Sequence, residues 1–401
     1  MSEPVPRFER GLGSVLFMLF LDVLGFSLFI PLLPDYVKSL GGNEFTFGLV
    51  TAAYAAGTFV FAPLWGALSD RWGRRPVLLL AAGGGLVAWL GLALAPNLLW
   101  LFVARIFGGI MAAKATVSQS WIIDVSPPEH RSRNIGYSGL AFGLGFVVGP
   151  PAGGLLGTVG LPFAALVSAT LVGLSLLMAL FFVRESLPLP RPVRPGVRPL
   201  GGKPRDGATR TRLSRDVVGL LALGFLINLG FNFFQTLFTP VTQKQLDWTP
   251  ANVGFALAWS GVLLGAFQGG GMGALAKRFR EEHLFVVGLG VLGMALLAWA
   301  FTFAGWFLYL LIVPLTLGAA LATILLKTLL AKAAPPEQIG GVLGWSTSLE
   351  SLTRIIAPAA GGWLLVQGSF WPGVVAGTLL LLAFAASFWL TPRVPSEPAK
   401  A

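Results

Sequence analysis

Residues 63–80 read PLWGALSDRWGRRPVLLL, a polar hairpin set between two long apolar runs. Gly66, Asp70, Arg71, Gly73, Arg74 and Arg75 all fall within it. A carboxylate and three guanidinium groups are expensive in hydrocarbon, so a turn of this composition belongs at a membrane surface and joins two spanning helices. Its basic excess selects the cytoplasmic surface, where loops collect Lys and Arg.

The rest of the chain extends that reading. Of 401 residues, 55% are hydrophobic and 11% charged, with 52 Gly, 31 Phe and 13 Trp, a balance foreign to soluble domains. Apolar runs of about 20 residues, enough to cross roughly 30 Å of hydrocarbon, recur throughout. Spans are predicted near residues 14–37, 45–69, 76–95, 98–122, 133–157, 160–183, 217–240, 251–276, 283–304, 306–331, 339–366 and 371–391, an all-α polytopic arrangement of twelve. With the amino terminus inside, the internal segments hold Arg7, Arg10, Arg71, Arg74, Arg75, Arg131, Arg133, nine basic residues from Arg184 to Arg215, Lys277, Arg278, Arg280, Lys332, Arg393 and Lys400. Only Lys38 and Lys244 fall outside, which places both termini in the cytoplasm.

These loops account for the net charge of +11, so no nucleic-acid partner is expected. There is no Cys, which excludes disulfides, iron–sulfur clusters and thiol catalysis, and the two histidines, His130 and His283, sit near predicted span ends. No metal site, no cofactor and no enzymatic activity are expected. Arg7 and Arg10 precede an apolar run as in a signal peptide, but the run to Tyr36 is too long, contains Asp22 and lacks a small-residue cleavage pattern. It reads as a retained first span.

An internal repeat divides the chain. GALSDRW at Gly66 returns as GALAKRF at Gly273, SPPEHRSRNIGYSGL at Ser126 as APPEQIGGVLGWSTSL at Ala334, and GPPAGGLL at Gly149 as APAAGGWLL at Ala357, at offsets of 207 or 208 residues. Six spans were therefore duplicated in parallel. The expected organisation is a six-helix bundle over residues 1–183, a linker over 184–215 and a second bundle over 216–401. The linker is rich in Pro, Gly and Arg without apolar periodicity, a solvated connection whose alternative use is to hold anionic lipid headgroups.

Six ionisable residues fall inside spans: Asp22, Arg105, Lys114, Lys327, Glu350 and Arg354, none repeated as a charge at its equivalent in the other half. Asp22 and Lys114 lie at similar depth, about eight residues or roughly 12 Å from the inner ends of their spans. Arg105 is nine residues from Lys114, on the opposite side of the helix, so the two are not expected to reach Asp22 together. Glu350 and Arg354, four apart, share a face. Lys327 is close enough to a span end to snorkel.

Asn228, Asn232 and Gln235 form a polar stripe on the seventh span. Amides there serve helix packing or substrate, and Phe225, Phe231, Phe234 and Trp259 offer an aromatic wall for lipophilic cargo. Gly145, Gly149, Gly153 and Gly154 allow close helix approach in the fifth span, and Pro150 removes a backbone donor and kinks it. Their copies at Pro358, Gly361 and Gly362 read as hinge and packing surface.

FLDVLGFSLFIPLLP in the first span, GALSDRWGRR after the second, RIFGGIMAA in the fourth and GFVVGPPAGG in the fifth resemble the four signatures of the drug:proton antiporter branch of the major facilitator superfamily. The likeness is to tetracycline-efflux-type proteins and runs through nearly the whole chain. It implies two six-helix bundles and a monomeric, proton-driven exporter of small lipophilic or amphipathic compounds in the bacterial inner membrane, in contact with lipid. It also implies Arg105 as the cavity-facing partner of Asp22 and the hairpin as a cytoplasmic gate, with Asp70 meeting the start of the eleventh span. The intramembrane charges themselves put Asp22, Arg105 and Glu350 forward for proton coupling, with Lys114 and Arg354 as charge partners, against a permanent Asp22–Arg105 bridge and a self-neutralised Glu350–Arg354 pair. The sequence departs from the tetracycline exporters at Ala88 and Trp89, where they carry an acidic residue, and at Leu264 and Leu292, where they carry His and Asp. Four basic against two acidic groups within the spans keep open a facilitator or translocator of lipid or metabolite, anionic cargo included.

Overall fold

A computed structural model describes residues 11–112, 114–187, 214–335 and 338–390. Arg7, Arg10, most of the expected linker, Arg393 and Lys400 lie outside the described residues. The chain forms helical rods joined by short turns: α1 Leu12–Ser39, α2 Glu44–Trp72, α3 Arg74–Ala93, α4 Leu98–Val125, α5 Arg131–Leu156, α6 Leu161–Phe182, α7 Arg215–Leu246, α8 Pro250–Ala266, α9 Glu281–Trp299, α10 Gly305–Ala333, α11 Ile339–Gln367 and α12 Trp371–Leu390. Each expected span has its rod. Among the described residues, 10 helices are long and apolar enough to cross a membrane. The two rods that fall short have readable reasons. α8 passes through a π-turn at Phe267–Gly271, in the sequence FQGGG, before resuming as Met272–Ala276. α11 is 29 residues long but carries Glu350, Arg354 and several Ser and Thr.

Two rods are interrupted. In α1 a 3₁₀ turn at Ile30–Leu32 coincides with Pro31 and precedes Pro34, neither of which can donate a backbone hydrogen bond. In α4, expected to be continuous, the α-helix Leu98–Ile110 ends at a turn over Met111 and Ala112 and resumes at Lys114–Val125. An unbroken helix would satisfy the Gly109 and Ile110 carbonyls from four residues on. Here α2 supplies donors: Thr58 Oγ1 to the Gly109 oxygen at 3.3 Å and Trp65 Nε1 to the Ile110 oxygen at 2.5 Å. Gly109 lies against the Tyr54 carbonyl, where no Cβ would fit. A neighbouring helix thus meets α4 at the break.

Two compact units are present. The first comprises residues 11–187 with Thr242–Val262. In it α1 packs on α5 and α6, α2 on α4, and α3 on α6, around a core that includes Val15, Met18, Leu78, Trp121 and Ile122. Helices in lipid gain little from apolar burial against one another, so close backbone approach and polar contacts matter more. The α1–α5 seam uses both. Ser27 Oγ donates to the Gly145 carbonyl and Ser168 Oγ of α6 to the Gly25 carbonyl, each at 2.8 Å. Gly149 and Gly153 face the Leu28 main chain, while Gly154 faces the main chain of Pro250 and Ala251. α5 stays helical through Pro150 and Pro151.

Thr242–Val262, from the end of α7 and most of α8, packs in the first unit. Gln243 Nε2 donates to Asp35 Oδ2 at 3.0 Å, and Lys244 lies 3.7 Å from Glu44. The second unit comprises residues 214–241 and 263–390, with α9 packed on α10 and α12. Its repeated glycine, Gly361, faces the side chains of Phe233 and Leu237 where Gly153 faces backbone.

That difference is measurable. Gly153→Ala should lower the thermal midpoint in detergent, at a cost of about 1–3 kcal/mol typical of overpacking. Gly136→Ala, at a position with nothing within 4 Å, should leave the midpoint unchanged.

Candidate functional site

Asp22 and Lys114 meet inside the first unit. Lys114 opens the second segment of α4, and its Nζ donates to Asp22 Oδ1 of α1 in an ion pair whose side chains are 11% and 14% exposed. The other carboxylate oxygen, Oδ2, is buried without a hydrogen-bond donor in bonding geometry, although Ser175 of α6 faces the same group. Arg105, expected to be the partner of Asp22, is not. Its guanidinium carbon lies 5.1 Å from the centroid of the Tyr54 ring, and Tyr54 stands within electrostatic reach of both Arg105 and Asp22. The cation that reaches Asp22 is Lys114, beyond the break in α4. Arg105 is buried, its Nε has no hydrogen-bond partner, and among the described residues it forms no ion pair.

Tyr54 is the residue that sequence reasoning missed here. It is one of four tyrosines in the chain, on α2 opposite the Gly108–Gly109 pair, and it also contacts Phe26 at 5.6 Å between ring centroids.

In the second unit Glu350 is shared by two cations, Arg354 at 2.9 Å on its own helix and Lys327 of α10 at 3.8 Å. The Lys327 side chain is exposed, and it comes near Glu350 because α10 and α11 pack together. The amide stripe is engaged in packing. Asn228 donates to the Gly224 carbonyl at 2.8 Å, and Asn232 donates to the Asn228 carbonyl at 2.8 Å and to Thr353 Oγ1 of α11 at 3.0 Å. Gln235 is exposed. Phe234 is buried, edge-on to Trp299 at 5.1 Å, so it belongs to the interior and not to an open aromatic wall. Trp259 is exposed and belongs to the first unit, the amides to the second.

The hairpin between α2 and α3 turns at Gly73, whose φ of 100° favours glycine. There the Glu185 carboxylate accepts from the backbone nitrogens of Arg74 and Arg75 at 2.8 and 3.0 Å, capping the exposed donors at the start of α3. Arg74 is the hub: it pairs with Asp70 at 2.7 Å and with Asp124 of α4 at 2.9 Å, and donates to Ser69 Oγ. Arg75 donates to the Leu180 carbonyl at 2.8 Å. Arg71 is exposed and Gly66 faces open space. Asp124 and Glu185 were not foreseen, since both come from far along the chain. The residues Arg184–Leu187, expected to begin a linker without structure, are built into this network. Among the described residues no three acidic or histidine side chains converge to hold a metal ion.

The profile of the Major Facilitator Superfamily matches residues 15–352 and 220–401. The chain is 31% identical over 344 residues to the class C tetracycline resistance protein of Escherichia coli, covering 84% of this chain and 85% of that one. It is 24% identical over 371 residues to multidrug resistance protein 2 of Bacillus subtilis, covering 91% of each. Among solved structures it is similar to the human organic anion transporter MFSD10 (TETRAN), with a TM-score of 0.69, 25% identity, and coverage of 96% of this chain and 100% of that one. The chain belongs to the Major Facilitator Superfamily; it is a multi-pass membrane transporter and not an enzyme.

Breaking a buried pair from one side leaves an uncompensated charge, at a cost of about 3–5 kcal/mol. Asp22→Asn and Lys114→Met should each lower the thermal midpoint, and the double variant should recover most of the loss, the signature of direct coupling.

Proposed function

We propose that this Major Facilitator Superfamily transporter is a proton-coupled exporter of small lipophilic or amphipathic compounds, working by alternating access in the bacterial inner membrane with both termini cytoplasmic. The carrying observation is the Asp22–Lys114 pair, buried within two apolar rods. A carboxylate in hydrocarbon is stable either beside a cation or as the neutral acid, so a change in water access or in the distance to Lys114 moves its proton. Oδ2, which the Lys114 ammonium does not engage, is the oxygen available to take that proton. Protonation from outside would release Lys114, and discharge inside would restore the pair, in exchange for cargo.

The tetracycline and multidrug resistance relatives support export. At the positions where tetracycline exporters carry charge, Trp89 packs edge-on against Phe29 at 5.5 Å and Leu292 is buried, so both serve packing. This favours cargo other than a metal-chelated tetracycline. The organic anion transporter among the solved structures keeps amphipathic anions within the cargo class. The hairpin, with Arg74 linking Asp70 to Asp124, serves as the cytoplasmic gate. Glu350, between two exposed cations, is the second proton-coupling candidate.

In proteoliposomes an imposed proton gradient should drive movement of a lipophilic dye, and Asp22→Asn should abolish it. The Asp22→Asn/Lys114→Met variant, which restores charge balance, should fold and remain inactive. Undiminished gradient-driven transport in either variant would overturn the assignment. Asp70→Asn should slow transport and leave dye affinity unchanged.

A further inference from the structure

The first unit holds three membrane-depth charges, and only two of them neutralise one another. Asp22 is taken by Lys114, which leaves Arg105 as the excess. Arg105 is 8% exposed, its Nε is buried with no acceptor, and among the described residues no carboxylate lies within ion-pair distance. A cation over a tyrosine ring recovers only part of what burial of an unpaired ion costs. The Tyr54 ring fixes where the guanidinium sits without consuming its hydrogen-bond donors. A planar fork of donors held in this way matches a carboxylate. Around it the surface is apolar and aromatic: Phe26 packs on Tyr54, and both rings are partly exposed.

We infer that Arg105 and Tyr54 form a subsite for the carboxylate of a small amphipathic organic anion, with the aromatic body of that anion against Tyr54 and Phe26. The inference rests on the transporter reading above and narrows its cargo. It separates two tasks within the unit: Asp22 and Lys114 carry the proton, and Arg105 recognises the substrate. Asp22, already engaged by Lys114, does not compete for the guanidinium in this arrangement.

The test compares three probes that share one ring system and differ in charge: 2-naphthoate, 2-naphthamide and 2-naphthylmethylammonium. Binding is measured by calorimetry on the full-length protein in zwitterionic phosphatidylcholine nanodiscs, so that no anionic lipid occupies the site. The naphthoate should bind about tenfold or more tightly than the amide, the scale of one charge-assisted contact, and the ammonium most weakly. Arg105→Gln should bring the naphthoate down to the level of the amide while amide affinity holds. Arg105→Lys, which keeps the charge but loses the fork, and Tyr54→Leu, which removes the ring, should each retain part of the preference and carry the test if the glutamine variant fails to fold. An amide or ammonium that matches the naphthoate in the unaltered protein, or a preference that survives Arg105→Gln, overturns the inference. Because binding is read without a gradient, transport that persists in Asp22→Asn removes the coupling reading and leaves the carboxylate preference standing.

Discussion

A lysine inside hydrocarbon needs a counter-charge, and the arrangement that gives Lys114 one organises the first unit. Lys114 reaches Asp22 from the start of a helical segment, where its positive charge opposes the helix dipole and gains nothing from its own helix. The pair is therefore a tertiary contact, held by the break in α4. At that break Thr58 and Trp65 of α2 donate hydrogen bonds to the Gly109 and Ile110 carbonyls. α1, α2 and α4 are joined through one chain of contacts: indole and hydroxyl to carbonyl, glycine to backbone, ammonium to carboxylate. Loosening any link shifts the position of the ammonium.

The fold was legible because hydrocarbon thickness and backbone satisfaction leave few choices. Every apolar run became a rod, and the charged hairpin became a turn at Gly73. The glycines of α5 announced a close approach, and the structure puts the Leu28 main chain against them. What could not be read arises from contacts between distant segments. Helical spacing placed Arg105 and Lys114 on opposite faces but could not say which would meet Asp22, since α4 is interrupted at Met111 and Ala112, between the two. Asp124 and Glu185 join the hairpin across 50 and 111 residues of chain. Tyr54 drew no notice because an aromatic residue in an apolar helix is ordinary until a guanidinium lies on it.

The duplication supplies a comparison within the molecule. Glycines recur in α5 and α11, yet one copy meets main chain and the other meets Phe233 and Leu237. The charges do not recur at all: one unit holds a closed ion pair with a buried surplus guanidinium, the other a carboxylate between two exposed cations. Common ancestry set the scaffold, and the departures from symmetry fall on the residues with chemical potential to act.

The α1–α5 seam has a bearing on how such a chain can diverge. A side chain that obstructs a neighbour can swing to another rotamer, but the Leu28 main chain facing Gly149 and Gly153 has no such freedom. Sequence drift is closed at those two positions and open along the partly exposed faces of α2 and α4. Descendants with altered cargo would thus inherit the same α1–α5 core and differ around Tyr54 and Arg105, which makes this seam a ruler against which lineages of the chain can be aligned.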